Sequence, residues 1–443
     1  MNGIARVDDA VCLGCGCLCD DITLHVDSGR ILRAERACPI GERWFLAERH
    51  ADQPAGTIAG RPAELEAACK RAAEILGRAT SPLVMGLGSA TCEAQRLAVA
   101  LADRLGAAID AGNANSAAVT TAIQQVGMVT ATLGEVRHRA ELVMFWGVDP
   151  ATTHPRHFER YSLTCAGEFV PNGRTDRVCI VVDSHRTPTA DAADVFLQIK
   201  AGADAVALGV LRAFAAGDDV PAEADVLGRT GVALAEWEAL TERMKSARYG
   251  CVFFDSFKAA DPNSSSADAF ESLFKLVANV NRHTRFVALP LGSPANPVGA
   301  EQVLTWQTGC SSPASFAAGY PERDPAQLTA AARLTGGACD AVLVVASNSL
   351  IDSVAALPES ARTRLTQIPC IVLHTSEFAP PAGAVVTITV ATPGIQAGGT
   401  VFRCDNVPLP LRPAVETHLP TTEAVLRQLQ QSIVHANRGA TSA

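Results

Sequence analysis

Residues 81–106 read SPLVMGLGSATCEAQRLAVALADRLG, and this stretch decides the fold. Leu83, Val84 and Met85 form a continuous apolar run, Gly86 and Gly88 interrupt it, and apolar positions then recur at helical spacing from Cys92 to the glycine at 106. A strand without polar alternation is one buried on both faces, so the stretch predicts a parallel strand, a glycine turn and a covering helix. Ser89 or Thr91 supplies the helix cap, and Glu93 lies early enough to favour the positive helix end.

The pattern repeats outward from there. ELVMFWGVDP (141–150), VCIVVDSHRTPTA (178–190), CVFFDS (251–256), FVALPL (286–291), AVLVVASNS (341–349) and CIVLHTS (370–376) read as buried strands with polar exits. ALGVLRAFAAG (207–217) reads as a helix with a glycine stop, Glu64 to Leu76 as another, and Glu423 to His435 as a last one before a frayed polar end. Strands alternating with helices predict α/β architecture with doubly wound parallel sheets. The strands suffice for two such domains, expected to interleave across 54–443. In such sheets ligands bind at the carboxyl ends of the strands, where the polar residues gather here.

The segment 1–53 differs in kind. ITLHVDSGRILRAE (22–35) reads as a β-hairpin turning at Ser28-Gly29. Before it, VCLGCGCLCDD gives Cys12-x2-Cys15-x3-Cys19, and Cys38 follows just ahead of Pro39. Four thiolates so spaced suit a [4Fe–4S] cluster or a tetrahedral zinc, and the spacing does not choose between them. Cys17 reads as a bystander. A small β module of this kind has little core, so a metal would help to fold it. Most of the other cysteines, such as Cys179 and Cys370, lie in apolar runs and read as core thiols.

Composition narrows the function. A net charge of -9 over 443 residues argues against nucleic acid as the main partner. No apolar stretch reaches membrane-spanning length, and MNGIARVDDAVC lacks a secretory pattern, so a cytoplasmic protein that spans no membrane is expected. Charged residues are only 19%, as on a surface covered by partner subunits, although an Ala-rich composition gives the same figure. There is no Gly-x-Ser-x-Gly elbow, His-Glu-x-x-His or Walker loop. His154, Arg156 and His157 in THPRHFERY would line a pocket or simply make a hydrogen-bonded polar loop. Asp183, Ser184, His185 and Arg186 would hold a pterin phosphate or nucleotide at a strand exit, or only cap that exit.

Four motifs, VCLGCGCLCDDI, GEVRHRAELVMFWGVDPATTHPRHFERYS, WQTGC…GYP and GIQAGGTVFRCDNVPLPLR, resemble the B subunit of formylmethanofuran dehydrogenase. The resemblance runs from about Cys12 to Pro413 and implies a fold of the formate dehydrogenase/DMSO reductase type. It also implies one [4Fe–4S] cluster on Cys12, Cys15, Cys19 and Cys38, and a bis-pyranopterin Mo or W centre that interconverts CO2 and formate. That family holds its metal with a cysteine shortly before a Gln-x-Val-Gly helix. Gln124, Gln125, Val126 and Gly127 set the register, which puts Asn115 in the cysteine's place and Ser116 after it. No cysteine lies between Cys92 and Cys165, and Pro39-Ile40 stand where the family has a basic residue after the fourth cysteine. A molybdopterin or tungstopterin is therefore expected to be absent. Gln396, Gly398, Gly399, Thr400 and Arg403 match a family motif near the cofactor, or form a tight turn at a subunit contact.

The loss of the metal-binding cysteine resembles the bacterial formyltransferase/hydrolase complex of formaldehyde oxidation. Its B subunit implies amidohydrolase-like, β-helical and formyltransferase subunits as partners, and no redox turnover of its own. The alternatives are a working Mo/W subunit with another metal ligand, and a pterin- or nucleotide-binding protein acting alone.

Overall fold

The structure is a computed structural model and describes residues 4–49, 53–112, 116–255 and 266–440. The chain divides into two compact units, Met1–Ala117 with Ser293–Arg403 and Pro408–Ala443, and Ala118–Gly292 with Cys404–Val407. The segment expected as a 1–53 module groups with the first unit, where its strands make a sheet of their own.

The first unit is built on an eight-stranded sheet. Its order is Ala314–Ser315, Ala108–Asp110, Pro82–Met85, Ala341–Ser347, Cys370–Thr375, Val386–Val390, Gly56–Ile58, Arg61–Ala63. The five strands from Ala108–Asp110 to Val386–Val390 run parallel, and the flanking ones antiparallel. Neighbouring residues in one strand feed opposite cores: Val84 and Leu343 enter one, Leu83, Met85, Val342 and Val344 the other. Burial on both faces is why these strands read as continuous apolar runs.

Thr91 caps the Cys92–Leu105 helix by accepting from the Ala94 amide at 3.4 Å, and Gly106, left-handed at φ 61°, ends it. Ser89 lies instead in the short turn before the cap. The last helix runs Thr422–Ala440, beyond the stop expected at His435. Its Val425, Leu426, Leu429 and Ile433 join the core of the first unit and anchor the helix there.

Ala5–Ala10, Ile22–Asp27 and Arg30–Glu35 form an antiparallel three-stranded sheet. Ser28 and Gly29, both at positive φ (49° and 75°), make the hairpin turn, as a two-residue loop between right-twisted strands requires.

The second unit carries a five-stranded, wholly parallel sheet ordered Val195–Gln198, Val178–Asp183, Leu142–Trp146, Tyr249–Phe254, Arg285–Pro290. The chain winds out one way from Leu142–Trp146 and resumes on the other side with Tyr249–Phe254. The first unit reverses likewise between Pro82–Met85 and Ala341–Ser347. Such reversals leave a crevice at the strand carboxyl ends, the usual ligand position in open α/β sheets. Among the described residues no helix is long and apolar enough to cross a membrane.

Candidate functional site

Cys12, Cys15 and Cys19 are buried and Cys38 partly so, all as free cysteines. Their loop folds on itself: the Cys12 amide donates to the Cys19 carbonyl at 2.8 Å, and the Leu18 amide to the Cys15 carbonyl at 3.2 Å. Cys38 stands at the N-cap of the Pro39–Leu46 helix, which carries it back to the loop. Cys12 feels the charges of Cys19, Cys15 and Cys38, so the four share one neighbourhood, and burial pushes its thiol well up. Hydrogen bonds from the Cys17 side chain, and then its backbone, outweigh burial and lower Cys15. Cys17, expected not to be a ligand, lies against Cys15.

Glycines line this thiol pocket. A Cβ at Gly41 would meet the Cys12 Sγ at 2.8 Å and lie 3.9 Å from the Cys38 Sγ; one at Gly14 would lie 3.4 Å from the Cys12 Sγ. Without side chains at these positions the backbone packs directly against the Cys12 sulfur, and what suits an iron–sulfur cluster is the four-thiol donor set itself. The thiols do not close on a point, and among the described residues no group of three or more His, Cys, Asp or Glu is arranged around a metal ion.

The strand-end crevice of the first unit holds a network whose centre, Asn296 with Gln95, carries no signal in the sequence. Gly86 takes φ 78°, and a Cβ there would press on Val344 Cγ1 at 2.9 Å. Asn296, wholly buried, caps the Pro297–Thr308 helix by accepting from the Gly299 amide at 3.2 Å. Its Oδ1 also accepts from the Phe402 amide at 2.8 Å, and its Nδ2 donates to the Ala90 carbonyl at 2.9 Å. Gln95 donates to the carbonyls of Leu87, Ala90 and Asn296. Asn296 precedes a proline and reads locally as a turn; partners 106 and 206 residues away leave no local trace.

Gly399 enters this network from the strand Gly399–Phe402. It sits at φ 138° against Thr91, where a Cβ would come within 2.6 Å of Cγ2. Thr400 donates its amide and hydroxyl to the two oxygens of Glu93, at 2.9 and 2.8 Å. Burial raises the Glu93 carboxyl, but these donors outweigh it and hold it low. Arg403 is buried in the same unit. Ser89 Oγ and Ser347 Oγ, at the exits of the two strands that border the crevice, are buried without partners among the described residues. Asn115 lies outside the described residues.

The remaining candidates lie in the second unit. His154 and His157 are buried, with ring centroids 6.4 Å apart. His154 contacts Thr153 Oγ1 through Nδ1 at 2.8 Å and the Gly292 carbonyl through Nε2 at 3.2 Å. His157 contacts Ser162 Oγ at 2.8 Å and packs edge-on against Phe253. Burial lowers His154 to about 4 and drives His157 well down, so both rings are neutral at pH 7. Arg156 pairs with Glu159 at 2.5 Å. Asp183 ends its strand and accepts from the His185 amide at 3.2 Å. Arg186 is an exposed partner of Asp191 at 2.7 Å and lies over Phe196. The histidines are thus brought together, Asp183 stands at a strand exit, and Arg186 is engaged in a surface pair.

Thiolate donors outside the quartet are scarce. Burial pushes Cys69 and Cys92 up to about 11, and Cys179 and Cys370 up to about 12. Cys92, near the crevice, already receives a contact from Asn296 Nδ2 at 3.7 Å.

Two units whose sheets have parallel centres and strand reversals, and a thiol-rich loop in one of them, define a doubly wound α/β protein. The chain belongs to the family of formylmethanofuran dehydrogenase B subunits. It is 33% identical over 422 residues to the B subunit of tungsten-containing formylmethanofuran dehydrogenase 2 of Methanocaldococcus jannaschii, spanning 93% of this chain and 94% of the relative. Against the B subunit of the formyltransferase/hydrolase complex Fhc of Methylorubrum extorquens the identity is 29%, over 79% of this chain and 88% of the relative. The crystal structure of the complex FhcABCD from Methylorubrum extorquens with methylofuran contains a chain similar at TM-score 0.69 and 25% identity, covering 86% of this chain and 99% of that one. Acetylene hydratase from Pelobacter acetylenicus shares the fold at TM-score 0.67 and 12% identity, over 97% of this chain and 69% of that one. No family model matches the chain.

Proposed function

We propose that this chain is the B subunit of a formyltransferase/hydrolase-type complex in tetrahydromethanopterin- and methanofuran-linked one-carbon metabolism, where it acts as a scaffold without redox turnover. The carrying observation is the absence of any cysteine between Cys92 and Cys165, with Asn115 at the register of the family's metal-binding cysteine. A neutral, hard amide does not replace a soft thiolate on high-valent Mo or W.

Cys12, Cys15, Cys19 and Cys38 would hold a [4Fe–4S] cluster, a reading supported by their four-thiol donor set and by the close packing of the Cys38 helix against the Cys12 sulfur. When bound, the cluster would supply a covalent cross-link between the loop and the Pro39–Leu46 helix, a role that needs no electron-transfer partner. The family's complexes favour amidohydrolase-like, β-helical and formyltransferase subunits as neighbours, in the cytoplasm.

One observation favours a second reading, a working Mo/W subunit interconverting CO2 and formate. Identity to the tungsten-containing relative is 33% over 93% of the chain, against 29% over 79% for the formyltransferase/hydrolase relative. Activity separates the two readings. The purified complex is expected to release formate from a formylated carrier and to show no viologen-coupled exchange between CO2 and formate. Viologen-coupled turnover that disappears when this chain is omitted would overturn the scaffold reading.

A further inference from the structure

In doubly wound units a strand, a glycine turn and a helix N-terminus make the usual phosphate position, because the first amides of a helix have no partner within it. The first unit has all three parts beside its strand reversal: Pro82–Met85, the turn from Gly86 to Thr91, and the helix Cys92–Leu105. A phosphate there needs free amides and an open face.

The amides are taken. The Ala94 amide donates to Thr91 Oγ1, the Cys92 amide to its own sulfur, and the Glu93 amide to its own carboxylate. That carboxylate also accepts from the Thr91 hydroxyl, and from the Thr400 amide and hydroxyl at 2.9 and 2.8 Å. Four donors thus surround one anion at the positive end of the helix, and the anion belongs to the chain.

The face is closed as well. Every residue from Gly86 to Cys92 is buried. A Cβ at Gly88 would stand 3.4 Å from Ile351 Cδ1 and 3.7 Å from Pro297 Cβ, so side chains of the same unit cover the turn where a phosphate cradle is open. The Asn296 amide donates to the Gly88 carbonyl at 2.7 Å and fixes that cover.

We infer that Glu93 is a built-in anion that fills the phosphate position of the first unit and closes it to a phosphate-bearing pterin or nucleotide. The inference goes beyond the scaffold reading, which turns on the metal ligand and not on how a cofactor's phosphate would be held. A phosphate arriving at this helix end would meet a like charge and no free amide.

The test is calorimetric titration of the full chain with inorganic pyrophosphate, for wild type, Thr91→Val and Glu93→Ala. Thr91→Val should leave the wild-type titration unchanged, because no phosphate reaches Thr91. Glu93→Ala removes the anion and leaves its four donors unmatched. It should bind pyrophosphate about tenfold or more tightly than wild type, the scale of one charge-assisted hydrogen bond. Sodium formate, which replaces the lost carboxylate, should raise the thermal midpoint of Glu93→Ala and not that of wild type. Pyrophosphate binding by wild type that Thr91→Val weakens about tenfold would overturn the inference, whether or not Glu93→Ala folds. A folded Glu93→Ala chain that responds to neither anion would also overturn it.

Discussion

Gly399→Ala tests whether the strand-end network is as tightly built as its geometry implies. At φ 138° a residue with a side chain is strained, at about 1–3 kcal/mol. The new methyl would lie 2.6 Å from Thr91 Cγ2, 2.8 Å from its Cβ and 3.0 Å from Glu93 Oε2, so Thr91 must move. Displacing Thr91 removes the cap of the Cys92–Leu105 helix, worth about 1 kcal/mol. Pushing Glu93 away loosens its bonds to Thr400; because Glu93 is partly open to solvent, these contribute at the low end, about 1 kcal/mol. The total is about 3–5 kcal/mol, or roughly 6–10 °C of thermal midpoint for a unit of this size. Gly60→Ala is the control: its φ is also positive, 75°, but nothing lies within 4 Å, so only about 1 kcal/mol of backbone strain is expected. Thermal unfolding followed by circular dichroism compares the two. Equal shifts would refute the packing argument, because the variants differ chiefly in the contacts at Thr91 and Glu93.

Two further outcomes are expected. Gly41→Ala should cut iron incorporation severalfold, because its Cβ would stand 2.8 Å from the Cys12 Sγ, while Gly60→Ala leaves iron unchanged; iron assay of the purified complexes reads this. The buried histidines should make the fold acid-sensitive. His154 falls from 6.5 unfolded to about 4 folded, so its contribution is complete above pH 6.5 and is lost as pH falls toward 4. At pH 5 that amounts to about 2 kcal/mol from His154, with His157 and His374 acting in the same direction. A midpoint unchanged between pH 7.5 and 5 would contradict the neutral, buried state of these rings.

How much of the fold is legible in the sequence follows from the range of the interactions. Runs such as Leu142–Trp146 and Ala341–Ser347 are apolar because both sheet faces are covered, so periodicity finds them. The Thr91 cap and the Ser28-Gly29 turn are local chemistry and are equally legible. Strand order is not: Pro82–Met85 pairs with Ala341–Ser347, which only long-range burial decides. Asn296 is hidden for the same reason. His154 and His157 are legible as polar residues, but their burial and loss of charge depend on Phe253, the Gly292 carbonyl and Ser162 closing around them. The thiol quartet is visible as spacing, whereas the Cys17 contribution to Cys15 and the packing of Gly41 against the Cys12 sulfur require the folded loop and helix.

The most direct measurement of the central claim is metal analysis of the purified complex by mass spectrometry, with an EPR spectrum after reduction. The scaffold account predicts about four iron atoms per chain, as one [4Fe–4S] cluster requires, with neither Mo nor W. Mo or W at about one atom per chain would contradict it and make the chain a working oxidoreductase subunit despite Asn115.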